Sequence, residues 1–445
     1  MKFLKALAIT AVVSLYGVIN STYAQAMTFE ELYEIKTERL NAQSFGSPFA
    51  LDPSDGQINA FLNLALINSY LSEDEHGGVF IDGDTLVVVE LIDPNSNART
   101  RSMERIHEFA NSETRILSNF LRIEQGRFSH AELISVINYI SYNLIVDLID
   151  ELEPIVGGRI PIILHGGPII QENIVEIGLS PIVYNDEELR NEVIGHIKET
   201  VSNLSPKEDF SNILSFVEGW EIEFLGLIPQ YEYESYQYDG MPELEEDLVV
   251  DNFNTLNIQP GRTQVRPAGS GSGFTANNLL NGRLITAGHG FRMWDQVFVG
   301  NTMIGSVHRH SVSGSVDGSG IGIYLPSTVV RNTWPDGSTI TGNSGMFNVS
   351  GGHVTAFGST QSGSGGRTGE IIRTNFVMLL EFQGQVHRIT DTIVTTVTGV
   401  NPGDSGGPIR TSQGFNSGIV AGRVLAAPYL NRMVYVCIQR AMNVL

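Results

Sequence analysis

The C-terminal part of the chain has short apolar runs separated by residues that favour turns. From Gly273 onward, segments rich in β-branched residues alternate with clusters of Gly, Ser and Asn. Many short strands at regular spacing, with turn signals between them, are typical of an all-β barrel or sandwich. We predict strands at these segments: 284–286, 296–299, 304–307, 321–325, 376–380, 392–396 and 417–421.

The N-terminal half combines helical and strand patterns. Apolar residues at helical spacing predict a helix over Ile106–Leu121, and Ser129–Glu132 is a capping box that opens a second helix running toward Leu152. Two β-hairpins are predicted, with turns at Asp82–Asp84 and Gln171–Asn173. This alternation predicts an α+β region made of two related units.

The first 26 residues have the pattern of an export signal. Lys2 and Lys5 precede an apolar run over Ala6–Ile19, and Ala24–Ala26 supplies small residues around a cleavage point. The run has 14 residues, fewer than the roughly 20 that cross a bilayer. We therefore expect a signal peptide over 1–26, a secreted protein and no membrane partner.

Charge divides the chain into two parts of opposite sign. The formal net charge of the whole chain is −22, which makes nucleic acid an improbable partner. Residues 260–445 contain 13 Arg, no Lys, five Asp and two Glu, so this segment carries +6 and the remainder carries −28. The two parts should therefore attract one another.

An acidic stretch joins the two parts. Residues 231–254 are rich in Tyr, Glu and Asp and show neither helical nor strand period. This composition predicts an exposed linker, which is either simply solvated or a site of proteolytic processing, with cleavage expected between about Glu246 and Gly273. The predicted organisation is a signal peptide over 1–26, an α+β domain over 27–230, an acidic linker over 231–259 and an all-β domain over 260–445.

The candidate nucleophile is Ser405, within the string Gly403–Pro408. Glycines on both sides let the backbone make a tight turn whose N–H groups converge on one point, as an oxyanion hole requires. The predicted oxyanion donors are the amides of Gly403 and Ser405. A generic glycine-rich turn is the alternative, but the six-residue string is far more specific than that.

A serine hydroxyl needs a base, and histidine suits this role at neutral pH. His289 follows the apolar segment Leu284–Thr286 through small residues, so its imidazole would be held by a rigid element and still face a cleft. The other histidines of this segment are His308, His310, His353 and His387. We predict His289 as the base.

The third group should be an acid that orients the imidazole. Asp317 follows a polar turn and leads into a strand, whereas the context is less clear for Asp295, Asp336 and Asp391. No Asp, Glu or His follows Ser405, so the order of an α/β-hydrolase is excluded. We expect neither a cofactor nor a metal, and the single cysteine, Cys437, allows no intrachain disulfide.

These motifs resemble those of chymotrypsin-fold serine proteases. Thr286–His289, Asp317 and Gly403–Pro408 match in order, and the intervals of 28 and 88 residues are similar to those of the alpha-lytic protease and streptogrisin branch. The N-terminal half is similar to the pro-region of that branch, most clearly at Gly77–Asp82 and Leu86–Val89.

The resemblance implies a fold and a set of roles. It implies two six-stranded antiparallel β-barrels with the triad between them, after an α+β pro-domain that assists folding and blocks the site until it is cleaved. Peptides are then the substrates, and the substrate-binding residues are Gly399, Val400, Ala421 and Arg423. Gly399 and Val400 carry no charge, so an acidic pocket for Lys or Arg is not indicated.

The chain departs from this pattern at two positions. Gly290 stands where a cysteine is usual, and Ala421 stands where a serine usually bonds the catalytic aspartate. The leading hypothesis is a secreted serine endopeptidase made as a zymogen. The alternative is a non-catalytic binding or adhesion protein that keeps the fold, because fold does not fix function.

Overall fold

In the computed structural model, the described chain divides into two compact units. The first comprises the described residues up to Gly219 together with Val349–Gly352 and Arg373–Asn375, and the second comprises the others to Leu445. The described residues are mostly in β-strands, with few helices. They are 71–92, 100–111, 119–141, 162–202, 204, 210–220, 222–224, 255–270, 273–345, 348–361, 365–382 and 385–445, with 60, 63, 64, 67 and 68.

The first unit repeats one order of elements. The first copy contains β1 (His76–Asp82), β2 (Thr85–Leu91), α1 (Arg101–Ala110), β3 (Leu121–Gly126) and α2 (His130–Tyr139). The second contains β4 (Ile163–Ile169), β5 (Ile174–Leu179), α3 (Pro181–Asn185), α4 (Glu187–Ser202), a 3₁₀ helix (Phe210–Ile213) and β6 (Leu214–Glu218). In each copy an antiparallel hairpin is followed by helix and by a third strand parallel to the second. Both predicted hairpin turns are therefore confirmed.

Asn173 links the turn of the second hairpin to the segment that follows β3. Its backbone is left-handed, with φ of 54° in the turn between β4 and β5. Its side-chain Oδ1 accepts hydrogen bonds from the amides of Arg127 and Phe128 at 2.8 and 2.7 Å, and its Nδ2 donates to the Phe128 carbonyl at 2.7 Å. A buried amide with these three bonds fixes the turn against the segment that follows β3.

One helix prediction is confirmed at its start and another is wrong in extent. Ser129 Oγ accepts from the amide of Glu132 at 3.2 Å and the Glu132 carboxylate accepts from the amide of Ser129 at 2.8 Å, so the capping box is present. The helix predicted over Ile106–Leu121 ends at Ala110, and Leu121 begins β3. Leu121 is buried in the sheet, where it pairs with Leu86 in a parallel ladder. Its apolar side chain therefore does not continue a helical face.

The second unit is built almost entirely of strands. The first nine are β7 (Ile222–Phe224), β8 (Leu256–Ile258), β9 (Gln264–Pro267), β10 (Phe274–Thr275), β11 (Leu279–Leu280), β12 (Arg283–Thr286), β13 (Gln296–Val299), β14 (Thr302–Ser313) and β15 (Val316–Ile323). The others are β16 (Thr328–Val330), β17 (Gly342–Asn343), β18 (His353–Ala356), β19 (Arg367–Phe382), β20 (Gln385–Thr395), β21 (Pro408–Thr411), β22 (Phe415–Val424) and β23 (Met433–Cys437), followed by helix α5 (Ile438–Val444). Every strand predicted from the sequence overlaps one of these.

Two sheets of the second unit have separate cores. The first sheet has the order β10-β9-β13-β14-β15-β12-β11, and the second contains β18-β21-β22-β23-β20-β19, with β7 and β17 also paired to β22. Phe274 and Ile321 are buried in the first core, while Val420 and Tyr435 are buried in the second. Burial of such side chains contributes about 1.5–3 kcal/mol each.

The second unit begins earlier than the predicted boundary at 260. Trp220 is buried and stacks on Phe376 with ring centroids 5.9 Å apart, and Ile258 of β8 is buried in the first core. The predicted signal peptide and residues 231–254 of the predicted linker lie outside the described residues. None of the helices in the described ranges is long and apolar enough to span a membrane.

Candidate active site

Strand pairing brings His289 to Asp317. Strands β12 and β15 are antiparallel, with Leu284 opposite Ile321 and Thr286 opposite Ser319. The C-terminal end of β12 therefore lies beside the beginning of β15, and His289, three residues beyond Thr286, reaches Asp317. The two residues are 28 positions apart in sequence, yet the pairing makes them neighbours.

Both oxygens of the Asp317 carboxylate are engaged. Oδ2 lies 2.7 Å from Nδ1 of His289, and Oδ1 accepts hydrogen bonds from the amides of Gly288 at 2.9 Å and His289 at 2.8 Å. Neither side chain of the His289–Asp317 pair is exposed to solvent. A carboxylate at Nδ1 favours the tautomer that carries its proton there, which leaves Nε2 as an acceptor.

Ser405 faces that acceptor. Its Oγ lies 3.0 Å from Nε2 of His289 and 2.9 Å from the carbonyl oxygen of Ala421. A hydroxyl has a single proton, so it donates to one of these two acceptors at a time. The three predicted catalytic residues are thus joined in one hydrogen-bonded chain within the second unit.

The turn that carries Ser405 is held from several sides. Gly403 has φ of 101°, where a side chain would be strained, and its carbonyl accepts from Oγ1 of Thr275 at 2.7 Å and Oγ of Ser359 at 2.9 Å. The Ser405 carbonyl accepts from the amide of Thr275 at 2.7 Å. Thr275 of strand β10 therefore binds the carbonyl groups of Gly403 and Ser405, the two residues that flank Asp404.

Asp404 completes the turn, and two amides remain available in it. The buried Asp404 carboxylate accepts from the amide and hydroxyl of Thr360 at 2.9 and 2.7 Å, and from the amide of Asn401 at 3.1 Å. Within the described part of the chain, the amides of Gly403 and Ser405 donate no hydrogen bond. Fixed amides that have no internal acceptor are the donors that an oxyanion hole needs.

Two residues that contact His289 or the neighbouring Gly288 were not identified from the sequence. The ring of Phe274 meets the imidazole of His289 edge-on, with centroids 5.6 Å apart at 71°. Nε2 of His310 lies 3.1 Å from the carbonyl of Gly288, on the other side of the amide that binds Asp317. These contacts come from pairing between distant strands, so only the aromatic and polar character of β10 and β14 could have suggested them.

The alternative acids and bases have other partners. Asp295 accepts from the amide of Arg292 at 2.7 Å, Asp336 pairs with Arg410 at 2.5 Å, and Asp391 pairs with Arg440 at 2.9 Å. His308 bonds Tyr324, and His353 lies 3.2 Å from Glu370. No group of three or more His, Cys, Asp or Glu suited to a metal ion occurs among the described residues.

The predicted substrate-binding residues lie along one wall. Ala421 borders Ser405, and Arg423, two residues further along β22, places Nη1 3.5 Å from the carbonyl of Val400. The Val400 side chain is buried in the second core, so only its backbone remains at this wall. Gly399 has φ of 76°, and a Cβ there would lie 2.7 Å from Nη1 of Arg367.

No family model and no curated protein matches the chain. Solved structures do match part of it. A chymotrypsin from Cellulomonas bogoriensis is 19% identical with a TM-score of 0.32, and protease A from Thermobifida fusca is 19% identical with a TM-score of 0.34; each match covers 42% of this chain and 95% of the other. The alpha-lytic protease homolog N4 is 13% identical, with a TM-score of 0.33 over 42% of this chain and 96% of its own. Similarity at this level does not assign the chain to a family.

Proposed function

We propose that the protein is a secreted serine endopeptidase made as a zymogen. The observation that carries this proposal is the chain of contacts from Asp317 Oδ2 through His289 to Ser405 Oγ, at 2.7 and 3.0 Å. A buried carboxylate, an oriented imidazole and a hydroxyl in this order form the arrangement that activates serine for acyl transfer. No metal or cofactor is required for this chemistry.

The reaction would proceed through an acyl-enzyme. Ser405 Oγ attacks the peptide carbonyl carbon while His289 Nε2 takes the hydroxyl proton, and the amides of Gly403 and Ser405 stabilise the resulting oxyanion. His289 then gives the proton to the leaving amine, which breaks the C–N bond. Water then attacks the ester carbon while His289 takes its proton, and His289 returns that proton to Ser405 Oγ as the ester C–O bond breaks and the acid leaves. Asp317 orients His289 and stabilises its charged form throughout.

A role of the N-terminal part as inhibitor is supported by β7. This strand, Ile222–Phe224, pairs antiparallel with Gly422–Val424 of β22, directly after the residue whose carbonyl contacts Ser405. An extended segment at this position occupies the wall along which a peptide substrate would lie. We infer that the chain before the protease is a pro-domain that covers the site until it is cleaved, and that it assists folding.

The proposal is tested by replacing the nucleophile. In processed protein, Ser405→Ala should lower the turnover of a casein or peptide substrate by a factor on the order of 10⁶ without loss of folded structure. The matched control is Ser319→Ala, which removes another fully buried serine hydroxyl, from β15, and should retain activity. Near-normal hydrolysis by Ser405→Ala would refute the triad. A folded wild-type chain without any hydrolytic activity would favour the non-catalytic binding protein.

A further inference from the structure

Strand β22 leads directly away from the candidate nucleophile. The carbonyl of Ala421 lies 2.9 Å from Ser405 Oγ, and Gly422, Arg423 and Val424 follow in extended conformation. On one side these residues pair with β23, with Gly422 opposite Val434. The other side of the same residues is where a further strand can pair.

Strand β7 of the same chain pairs with this side of β22 and so defines a register for a bound strand. Strand β7 lies antiparallel there, with Phe224 opposite Gly422, Glu223 opposite Arg423 and Ile222 opposite Val424. In this register the next position of a bound strand is level with Ala421, and therefore beside Ser405 Oγ. A peptide bound in the same way presents to Ser405 the residue that supplies the scissile carbonyl, and the residue two positions earlier lies opposite Arg423.

Three arginines lie near the position on β22 that faces this residue of the bound peptide. Besides Arg423, whose Nη1 is 3.5 Å from the Val400 carbonyl, Arg367 packs against Gly399 and Arg432 Nη1 donates to the Thr396 carbonyl at 2.5 Å. The three guanidinium groups thus follow one backbone segment, 396–400. The nearby Glu370 carboxylate is directed to His353, at 3.2 Å.

We propose that Arg423 determines specificity, by selecting peptides with Asp or Glu two positions before the residue whose carbonyl is attacked. This inference rests on the proposed protease function. A guanidinium stays charged at all working pH values and binds a carboxylate through two parallel N–H groups. Arg423 is only partly exposed, so solvent screens this pairing less than it would on an open surface. The register position opposite Arg423 is itself a glutamate in this chain.

The test compares two peptides that differ in one charge. Acetyl-Ile-Glu-Phe-Leu-amide and its Lys counterpart are titrated into the full chain carrying Ser405→Ala, which can bind them without cutting them. Both peptides must displace the same strand, so the ratio of their dissociation constants reports the charge preference alone. We expect the Glu peptide to bind about 10-fold or more tightly, because hydrogen bonds to charged groups are among the strongest in proteins.

Substitutions then assign the preference to Arg423. Arg423→Gln should bring the ratio close to one and Arg423→Glu should reverse it. The Gln variant removes the charge without introducing the opposite one, so it remains informative if the charge reversal impairs folding. Arg440→Gln removes an equal charge that pairs with Asp391, and should leave the ratio unchanged. Equal binding of the two peptides, or a Glu preference that survives in Arg423→Gln, would overturn the inference.

Hydrolysis separates this inference from the function on which it rests. In the processed wild-type protein, kcat/KM should favour a fluorogenic peptide with the Glu sequence by the same factor as binding. If neither peptide is cut, the protease proposal fails, while the binding ratio in the Ser405→Ala chain still decides the role of Arg423.

Discussion

Asp317 contributes two separate kinds of contact to the site. One oxygen bonds the imidazole of His289, and the other accepts the amides of Gly288 and His289 itself. The carboxylate therefore fixes the backbone that carries the histidine as well as its ring. A neutral amide at this position keeps the shape of the side chain but no longer selects the proton on Nδ1.

We predict that Asp317→Asn lowers kcat by a factor of about 10⁴. The measurement is peptide hydrolysis by the processed protein, with thermal unfolding followed in parallel. Asp295→Asn is the matched control, because Asp295 accepts from the amide of Arg292 in a turn outside the triad and should retain activity. An Asp317→Asn variant with wild-type kcat would show that Asp317 does not orient His289.

His76 is a buried histidine of the first unit. Its ring stacks on His130, 6.1 Å between centroids, and its Nδ1 accepts from the amide of Gly78 at 3.0 Å. Burial, and then the charge of His130, lowers the pKa of His76 to about 4. Burial also lowers the pKa of His130, opposed by Glu73 at 3.9 Å.

These lowered pKa values determine how the stability of the first unit changes with pH. An unfolded histidine titrates near pH 6.5, so between about pH 6.5 and 4 the unfolded chain binds more protons and the folded unit loses stability on acidification. For His76 alone the loss is about 3 kcal/mol. Amide exchange in β1 of the Ser405→Ala chain should therefore accelerate from pH 7 to 4.5, after correction for intrinsic exchange rates. His76→Gln should reduce this dependence and His196→Gln, on α4, should not; identical profiles for all three would contradict it.

The contacts among Ser405, His289 and Asp317 could be predicted from the sequence because the signals are local. Ser405 lies in a specific string, and His289 follows an apolar strand through small residues. Asp317 was selected only because its turn-to-strand context is clearer than that of Asp295, Asp336 and Asp391. Phe274 and His310 could not be predicted, because their contacts with the site arise from strand pairings across the first sheet.

At the scale of elements, hairpins were predicted better than helix ends. The turns at Asp82–Asp84 and Gln171–Asn173 contain glycine and asparagine, which tolerate the left-handed backbone that a tight turn needs. Both turns are present in the structure. The helix predicted over Ile106–Leu121 was too long, because apolar spacing alone does not distinguish a short helix followed by a buried strand from one long helix. Long strands such as β14 and β19 extend well beyond their apolar segments, since their polar ends are set by partners in the sheet.

Strand β7 is the element whose removal should expose the site. Proline has no amide proton to donate to a neighbouring strand and holds φ at about −65°, so Glu223→Pro should weaken the pairing with β22, whereas Glu223→Ala keeps the backbone. We predict that the unprocessed Glu223→Pro chain reacts with a peptidyl phosphonate at least several-fold faster than the wild type. The Glu223→Ala chain should react much more slowly than the proline variant. Equal rates for the wild type and Glu223→Pro would exclude β7 as the inhibitory element.

For the whole molecule, charge and cysteine content support the proposed dependence of residues 260–445 on the N-terminal part. Residues 260–445 carry +6 and the remainder −28, and Cys437 is the single cysteine, so opposite charge is available for association and no intrachain disulfide for durability. Without disulfides, the proposed protease would rely on a high unfolding barrier, and the N-terminal part would act as the template that lowers the separate barrier to folding. Because β8 is paired and Ile258 is buried, we expect maturation to cut before Leu256, in the N-terminal part of the predicted window.

The most direct measurement is mass spectrometry of the purified protein after treatment with a peptidyl phosphonate ester. We expect one covalent adduct, on the peptide that contains Ser405, in a processed chain that begins between residues 246 and 256. We expect no adduct in Ser405→Ala. An active protein that is labelled elsewhere, or that is not labelled at all, would contradict the assignment of Ser405 as the nucleophile.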